Sequence, residues 1–175
     1  LCKASLIDLY YADASRVCLE PCVPYGWQFP DEDVFMPSAK GKGLNCFGLL
    51  TRTNKLMFST TTQNINSTFV FEYLDRLSFM LEKPTVIVLD NASVHTAKII
   101  QKQRNVWEER GLILFYLPPY SPQLNLIEIL WKMLKYYWLK PEDYVEEQLL
   151  FYKITLALAA VGSSLNINFS DLALV

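Results

Sequence analysis

Val86-Ile87-Val88-Leu89-Asp90 is the centre of the predicted fold, because four branched and aliphatic residues run directly into a carboxylate. A short apolar run of this kind is typical of a buried parallel strand. In α/β sheets the carboxyl ends of the strands are the usual place for chemistry. Asp90 is therefore predicted to lie at a functional site.

Downstream of Asp90 the pattern continues as helix, strand and helix. The predicted elements are a helix over about Ala97–Arg110 that ends at Gly111, a strand over Leu112–Leu117, and a helix that begins near Glu128. A proline-rich turn, 118–122, precedes the last helix. The second helix has an apolar stripe that is interpreted as core: Ile127, Leu130, Trp131, Leu134 and Trp138.

Upstream of Asp90 the sequence predicts three strands and then a helix. The predicted strands are Leu6–Asp13, Leu44–Thr51 and Leu56–Thr62. The helix that follows them is capped by Asn66 or Ser67 and ends at Lys83-Pro84. Near the end of the chain, a last helix is predicted from Asp143 to about Val161, where Gly162 stops it. This order predicts an α/β domain over residues 1–175, with a five-stranded mixed sheet and helices on both faces, the ribonuclease H-like pattern.

Two segments between the first strands are predicted to be irregular. Arg16–Pro37 holds four prolines and is predicted to be a long excursion, in which Tyr25-Gly26-Trp27 either folds back on the core or contacts DNA or a partner. Ala39–Gly43 is predicted to be a flexible basic loop without the spacing of a phosphate-binding P-loop. Its lysines, Lys40 and Lys42, are either solvated or placed to follow DNA phosphates.

Composition limits the function classes. A hydrophobic content of 51% with mean hydropathy +0.14 indicates a globular chain, and its apolar runs are too short for a membrane span. The chain begins no signal peptide, so a cytoplasmic protein is expected. Four cysteines without a CxxC pair and one histidine make a zinc site improbable and favour reduced thiols. The net charge of −2 is unfavourable for a DNA-binding protein.

Two motifs carry a resemblance to a known family. Leu89-Asp90-Asn91-Ala92-Ser93-Val94-His95 and Leu117-Pro118-Pro119-Tyr120-Ser121-Pro122-Gln123-Leu124-Asn125-Leu126-Ile127-Glu128 resemble the catalytic core of DDE transposases from the bacterial insertion-sequence family related to mariner. The resemblance extends upstream to Asp13 and Gly26-Trp27. Gln123, Leu126 and Ala14 depart from the residues that are usual in the family, namely Glu, Pro and Glu. The departures at Gln123 and Leu126 remove no catalytic acid, whereas Ala14 counts against a helper role for an acid next to Asp13.

The resemblance implies DNA cleavage at transposon ends and strand transfer into target DNA. It implies that Asp13, Asp90 and Glu128 bind two Mg²⁺ ions, with Mn²⁺ as a substitute, because phosphoryl transfer suits a pair of hard cations held by carboxylates. Candidate DNA contacts are Lys40, Lys42, Asn91, His95 and Lys98. A homodimer in the active complex and action at the bacterial nucleoid are also implied. An N-terminal helix-turn-helix region is implied too and is not found in these residues, so an isolated catalytic domain or a truncated reading frame is expected.

Each candidate has a structural alternative. Asp90 could cap the following helix; Glu128 could belong to a capping box with Asn125 or pair with Lys132; His95 could serve as a structural hydrogen-bonding group. Asp8 competes with Asp13 as the first acid, but the two are five residues apart on a strand and must face opposite sides. Asp13 is preferred, because it is predicted at the carboxyl end of its strand.

Two rival functions remain open from the sequence. One is a ribonuclease H-like nuclease that cuts without strand transfer. The other is a retired transposon remnant that acts only in DNA binding or dimerisation. The intact carboxylates argue against the second.

Overall fold

The computed structural model describes residues 6–20 and 39–169, and in this part the chain builds one five-stranded sheet. The strands are β1 (Asp8–Leu19), β2 (Ala39–Leu50), β3 (Leu56–Thr61), β4 (Thr85–Leu89) and β5 (Leu112–Tyr116). The α-helices are α1 (Ser67–Ser78), α2 (Lys98–Glu109), α3 (Ile127–Met133) and α4 (Glu147–Ala159). Short 3-10 turns lie at Pro122–Leu124 and Pro141–Tyr144, and a π-helix, Leu134–Trp138, continues α3.

The sheet is mixed, with the strand order β3-β2-β1-β4-β5. β2 runs antiparallel to both β1 and β3, and a short turn over residues 51–55 connects β2 to β3. β4 and β5 run parallel to β1 and are joined through α2. The predicted five-stranded mixed sheet is confirmed.

Helices cover both faces of the sheet, as predicted. The α1–α2 core packs residues of those helices against one face; it includes Val70, Leu74, Ile100 and Trp107 with Ile87, Leu89 and Leu112 of the strands. The α3–α4 core packs the predicted stripe of α3 against the other face; it includes Ile127, Leu130, Trp131 and Leu134 with Leu150, Ile154 and Leu158 of α4. Each fully buried aliphatic side chain stabilises the fold by roughly 1.5–3 kcal/mol.

The first strand is longer than predicted. β1 continues past Asp13 to Leu19, because residues 14–19 keep pairing with β2 after β4 has ended. Val17 and Leu19 are buried in the α3–α4 core, so this continuation has an apolar face of its own. The prediction that the irregular excursion begins at Arg16 is therefore wrong. Its remainder, including Tyr25-Gly26-Trp27, lies outside the described residues.

The segment 39–43 is the first part of β2, so the prediction of a flexible loop there is also wrong. Gly43 pairs with Cys18 at the point where the β1–β2 register shifts. A Cβ at Gly43 would lie 2.8 Å from the carbonyl oxygen of Val17. Gly43 therefore allows the backbones of β1 and β2 to approach closely. From the sequence alone, a glycine with this role looks the same as a glycine in a flexible loop.

Two helix boundaries differ from the prediction. α1 ends at Ser78, before Lys83-Pro84. α4 begins at Glu147, because the capping chemistry of Asp143 belongs to the preceding 3-10 turn, where its Oδ2 accepts a hydrogen bond from the backbone N of Lys140 at 2.9 Å. None of the helices in residues 6–20 and 39–169 has the length and apolar character that crossing a membrane requires.

Candidate active site

The strand register brings Asp13 and Asp90 together. Parallel pairing of β1 with β4 ends at Tyr11 and Val88. Continuing this register by two residues brings Asp13 beside Asp90, just past the end of β4. Tyr11 packs on the α3–α4 core, so Asp13, two residues further along, faces the same side of the sheet.

Asp8 lies at the opposite end of β1. Its Oδ1 is 3.0 Å from Nζ of Lys83, and it lines a small pocket with Tyr10 and Leu77 on the α1 side. The expectation that Asp13 faces Asp90 agrees with this geometry. The stated reason is wrong, however, because Asp13 lies inside β1 rather than at its end; the end of β4 is what exposes it.

Glu128 lies in the first turn of α3, and several contacts fix that helix against the sheet. Gly48 of β2 pairs with Asp13, and a Cβ at Gly48 would lie 3.1 Å from Cδ1 of Ile127 and 3.2 Å from Cη2 of Trp131. The absence of a side chain at Gly48 therefore lets α3 approach the strand that carries Asp13.

The turn before α3 is also anchored to β1. The Nδ2 atom of Asn125 donates a hydrogen bond to the carbonyl oxygen of Ala12 at 3.2 Å. The Asn125 side chain makes no cap for α3, so the alternative of an Asn125–Glu128 capping box is not what the structure shows. Glu128 is held beside the sheet by the backbone of its own helix.

Trp131 connects α3 directly to the first acid. Its indole Nε1–H donates a hydrogen bond to Oδ2 of Asp13 at 3.2 Å. Trp131 is three residues after Glu128, so this bond fixes the position of the helix that carries Glu128 relative to Asp13. Trp131 was predicted only as a core residue. The signal that could have identified its second role is an N–H donor three residues after Glu128, on the same side of the helix.

The carboxyl groups interact electrostatically. Burial raises the pKa of Asp13 from 3.8 to about 7, a hydrogen bond from the backbone of Ala14 opposes this, and the negative charges of Glu128 and Asp90 raise it further. Burial also raises the pKa of Glu128, which the positive charge of Lys135 counteracts. The negative charges of Glu128 and Asp90 therefore act on Asp13, and the charge of Asp90 also raises the pKa of Glu128.

Asp90 behaves differently from the other two acids. A hydrogen bond from His95 lowers the pKa of Asp90, against a smaller opposing effect of burial. The Nδ1 atom of His95 lies 2.6 Å from Oδ1 of Asp90, and the backbone N of Ala92 donates to the same oxygen at 3.0 Å. Asp90 therefore carries a negative charge at neutral pH.

A cleft of about 350 Å³ opens beside Asp90. It is lined by Asp90, Asn91, Ala92 and the segment 117–122. Tyr120 stands at its rim with 100% of its surface exposed and with a left-handed backbone, φ 56°.

The donor set fits a hard divalent cation. Within residues 6–20 and 39–169, no group of three or more His, Cys, Asp or Glu side chains is arranged so that it could hold a metal ion. Mg²⁺ does not require one, since it usually takes one or two carboxylates and completes its shell with water and substrate phosphates. Asp13, Asp90 and Glu128 supply only oxygen ligands and share an electrostatic environment that a cation would relieve.

The five residues predicted to contact DNA differ in how exposed their side chains are and in whether those side chains already have partners. Lys98 is exposed at the start of α2, and Asn91 is exposed but its Nδ2 donates to the carbonyl oxygen of Leu117. Lys42 forms an ion pair with Glu147, with Nζ 2.7 Å from Oε2, and the buried ring of His95 offers DNA no surface. The side chain of Lys40 lies outside the described part of the chain. The electrostatic neighbour of Glu128, Lys135, was not predicted.

Comparison with known proteins places these observations in a family. The sequence model described as DDE superfamily endonuclease matches residues 8–149. No curated protein matches the chain.

Solved structures share the fold. A simian T-cell lymphotropic virus intasome in complex with the PP2A regulatory subunit B56 gamma matches with TM-score 0.63 and 13% identity, over 92% of this chain and 50% of that chain. The Mos1 strand transfer complex matches with TM-score 0.55 and 15% identity, over 93% and 54%. The Mos1 transposase paired-end complex with the left transposon end matches with TM-score 0.59 and 14% identity, over 91% and 55%. The chain thus spans about half the length of the structures that it resembles.

Proposed function

This chain belongs to the DDE superfamily endonuclease family, and from that membership we propose that it is the catalytic domain of a transposase. The substrate would be DNA, cleaved at transposon ends and joined through the freed 3′ ends to target DNA. The observation that supports this most strongly is that the negative charges of Glu128 and Asp90, which are distant in the sequence, raise the pKa of Asp13.

The three carboxyl groups are the proposed ligands of Mg²⁺, or of Mn²⁺ in its place. When bound there, divalent ions would supply the charge that activates the attacking water or 3′-hydroxyl and stabilises the leaving oxygen. Asp90 is negatively charged at neutral pH, and a bound cation would favour the charged form of Asp13, whose pKa is about 7. The hydrogen bond from Trp131 to Asp13 connects the helix that carries Glu128 to Asp13.

The protein surface beside the acids would hold the DNA strand. Lys98 at the start of α2 and Lys135, whose positive charge acts on Glu128, are the proposed phosphate contacts. The exposed aromatic ring of Tyr120 and the cleft beside it would accommodate the sugar and base next to the reacting phosphate. A homodimer on paired DNA ends, acting inside a bacterial cell, completes the proposal.

A combined cleavage and joining assay tests the function. Full-length protein, DNA that carries the flanking ends, and a target plasmid are incubated with Mg²⁺, with Mn²⁺ or with EDTA. Joined products that depend on metal support a transposase. Cleavage without joining would instead support the nuclease, and the absence of both reactions would support a retired DNA-binding module.

A further inference from the structure

His95 is held rigidly beside the second acid. Only 1% of its surface is exposed. Its backbone N donates to the carbonyl oxygen of Ala92 at 2.9 Å, and its own carbonyl oxygen accepts a hydrogen bond from the hydroxyl of Tyr116 at 2.8 Å. The turn between β4 and α2 and the end of β5 therefore fix the position of the ring.

The hydrogen bonds around Asp90 fall on one oxygen. His95 Nδ1 and the backbone N of Ala92 both approach Oδ1, at 2.6 Å and 3.0 Å. A charged carboxylate can only accept hydrogen bonds, so Nδ1 of His95 carries the proton. Oδ1 is occupied by these two donors, and Oδ2 is the oxygen left for a ligand that enters the cleft.

The other ring nitrogen of His95, Nε2, is unfavourable for the stability of the fold. In the described part of the chain, Nε2 of His95 is buried and has no hydrogen-bond partner, and the ring of Phe47 lies 6.4 Å from the imidazole centroid. An unsatisfied buried polar atom disfavours folding, so an apolar residue would suit this site better if stability were its only task.

We propose that His95 is a positioning residue that occupies Oδ1 of Asp90, so that Oδ2 alone faces a divalent metal ion. This inference rests on the proposed function, because it assumes that Asp90 is a metal ligand. His95 itself would touch neither metal nor DNA. Its effect is to fix the rotamer of Asp90, as hydrogen-bonding neighbours commonly do for the ligands of metal sites.

Three substitutions separate this role from simple packing. His95→Leu keeps an apolar volume and removes both nitrogens. His95→Asn keeps an amide donor near the position of Nδ1, whereas His95→Gln moves the donor toward the position of Nε2. Affinity for Mn²⁺ is measured on the 175-residue chain by EPR titration, and thermal unfolding is measured in EDTA.

We expect His95→Leu to bind Mn²⁺ at least tenfold more weakly than the parent, while it still unfolds cooperatively in EDTA. His95→Asn should stay within about threefold of the parent, and His95→Gln should resemble His95→Leu. Mn²⁺ affinity equal to the parent in His95→Leu would overturn the inference. If that variant does not fold, equal affinities of the Asn and Gln variants would overturn it.

The parent chain is the control for the underlying function. If the parent binds no Mn²⁺, the metal site itself is refuted, and this inference is refuted with it. If the parent binds Mn²⁺ and the variants do not differ from it, only the role of His95 is refuted.

A spectroscopic readout is independent of metal. The chain has a single histidine, so its imidazole ¹⁵N signals belong to one residue. We expect the tautomer with the proton on Nδ1. A proton found only on Nε2 would overturn the assignment, because Oδ1 of Asp90 would then lack this donor.

Discussion

Asp13 is largely buried, and the negative charges of Glu128 and Asp90 act on its carboxyl group. In the unfolded chain its carboxyl group has an ordinary pKa near 3.8, and in the folded chain the pKa is about 7. Between these values the folded state binds a proton that the unfolded state has lost. Stability therefore falls as pH rises through this window, and the loss is complete above about pH 7.

Asp13→Asn should remove this loss in metal-free buffer. One pKa unit corresponds to about 1.4 kcal/mol, and partial solvation reduces the effect, so we expect a gain of about 2 kcal/mol at pH 8 and none near pH 3. Urea unfolding in EDTA at both pH values measures it. Asp8→Asn is the control, because Asp8 has an ion pair with Lys83 and should show no gain. Equal stability of Asp13→Asn and the parent at pH 8 would contradict the account.

At the level of elements, the approach of α3 to β2 sets the position of Glu128. Gly48 faces Ile127 and Trp131 at distances that leave no room for a further carbon atom. α3 therefore packs directly against the backbone of Gly48 beside Asp13. Its distance from the sheet depends on the absence of a side chain at Gly48.

Gly48→Ala should push α3 outward by a few tenths of an ångström. We expect a loss of about 1–2 kcal/mol in the free energy of unfolding, since overpacking of a filled interface is destabilising. DNA cleavage should fall about tenfold, because Glu128 moves with the helix. In the double variant with Trp131→Phe the losses should be less than additive, because the smaller ring removes the two indole atoms that the new methyl group meets, while Cδ1 of Ile127 remains. Strict additivity would show that the two positions are not coupled.

Much of this element structure follows from sequence periodicity, and the exceptions have physical causes. The stripe of α3 was predicted because burial on one face leaves a regular pattern, and the run before Asp90 was predicted because a strand buried on both faces leaves a continuous apolar stretch. The extension of β1 to Leu19 was missed, because its partner β2 lies beyond a proline-rich segment. The pairing of Lys42 with Glu147 was missed since the two residues are 105 positions apart. The bond from Trp131 to Asp13 depends on tertiary packing in the same way.

At the scale of the whole molecule, charge limits DNA binding. Basic residues number 16 and acidic residues 18, and ion pairs occupy several of the cations: Lys42, Lys83, Arg110 and Lys153. These ion pairs reduce the positive charge that is available to displace counterions from a DNA backbone.

The 175 residues alone should bind duplex DNA weakly and without sequence preference. We expect the affinity to fall on the order of tenfold between 50 and 200 mM salt, as for a protein that contacts only two or three phosphates. Fluorescence anisotropy with unrelated duplexes measures both properties. Tight binding that selects one duplex would contradict this expectation.

The central claim is that Asp13, Asp90 and Glu128 act as one site. Metal-dependent DNA cleavage by full-length protein that carries Asp13→Ala, Asp90→Asn, Glu128→Gln or Asp8→Ala, each checked for folding, tests it most directly. We expect each of the first three changes to abolish cleavage and Asp8→Ala to leave it measurable. Cleavage retained in Asp90→Asn, or lost in Asp8→Ala but kept in Asp13→Ala, would contradict it.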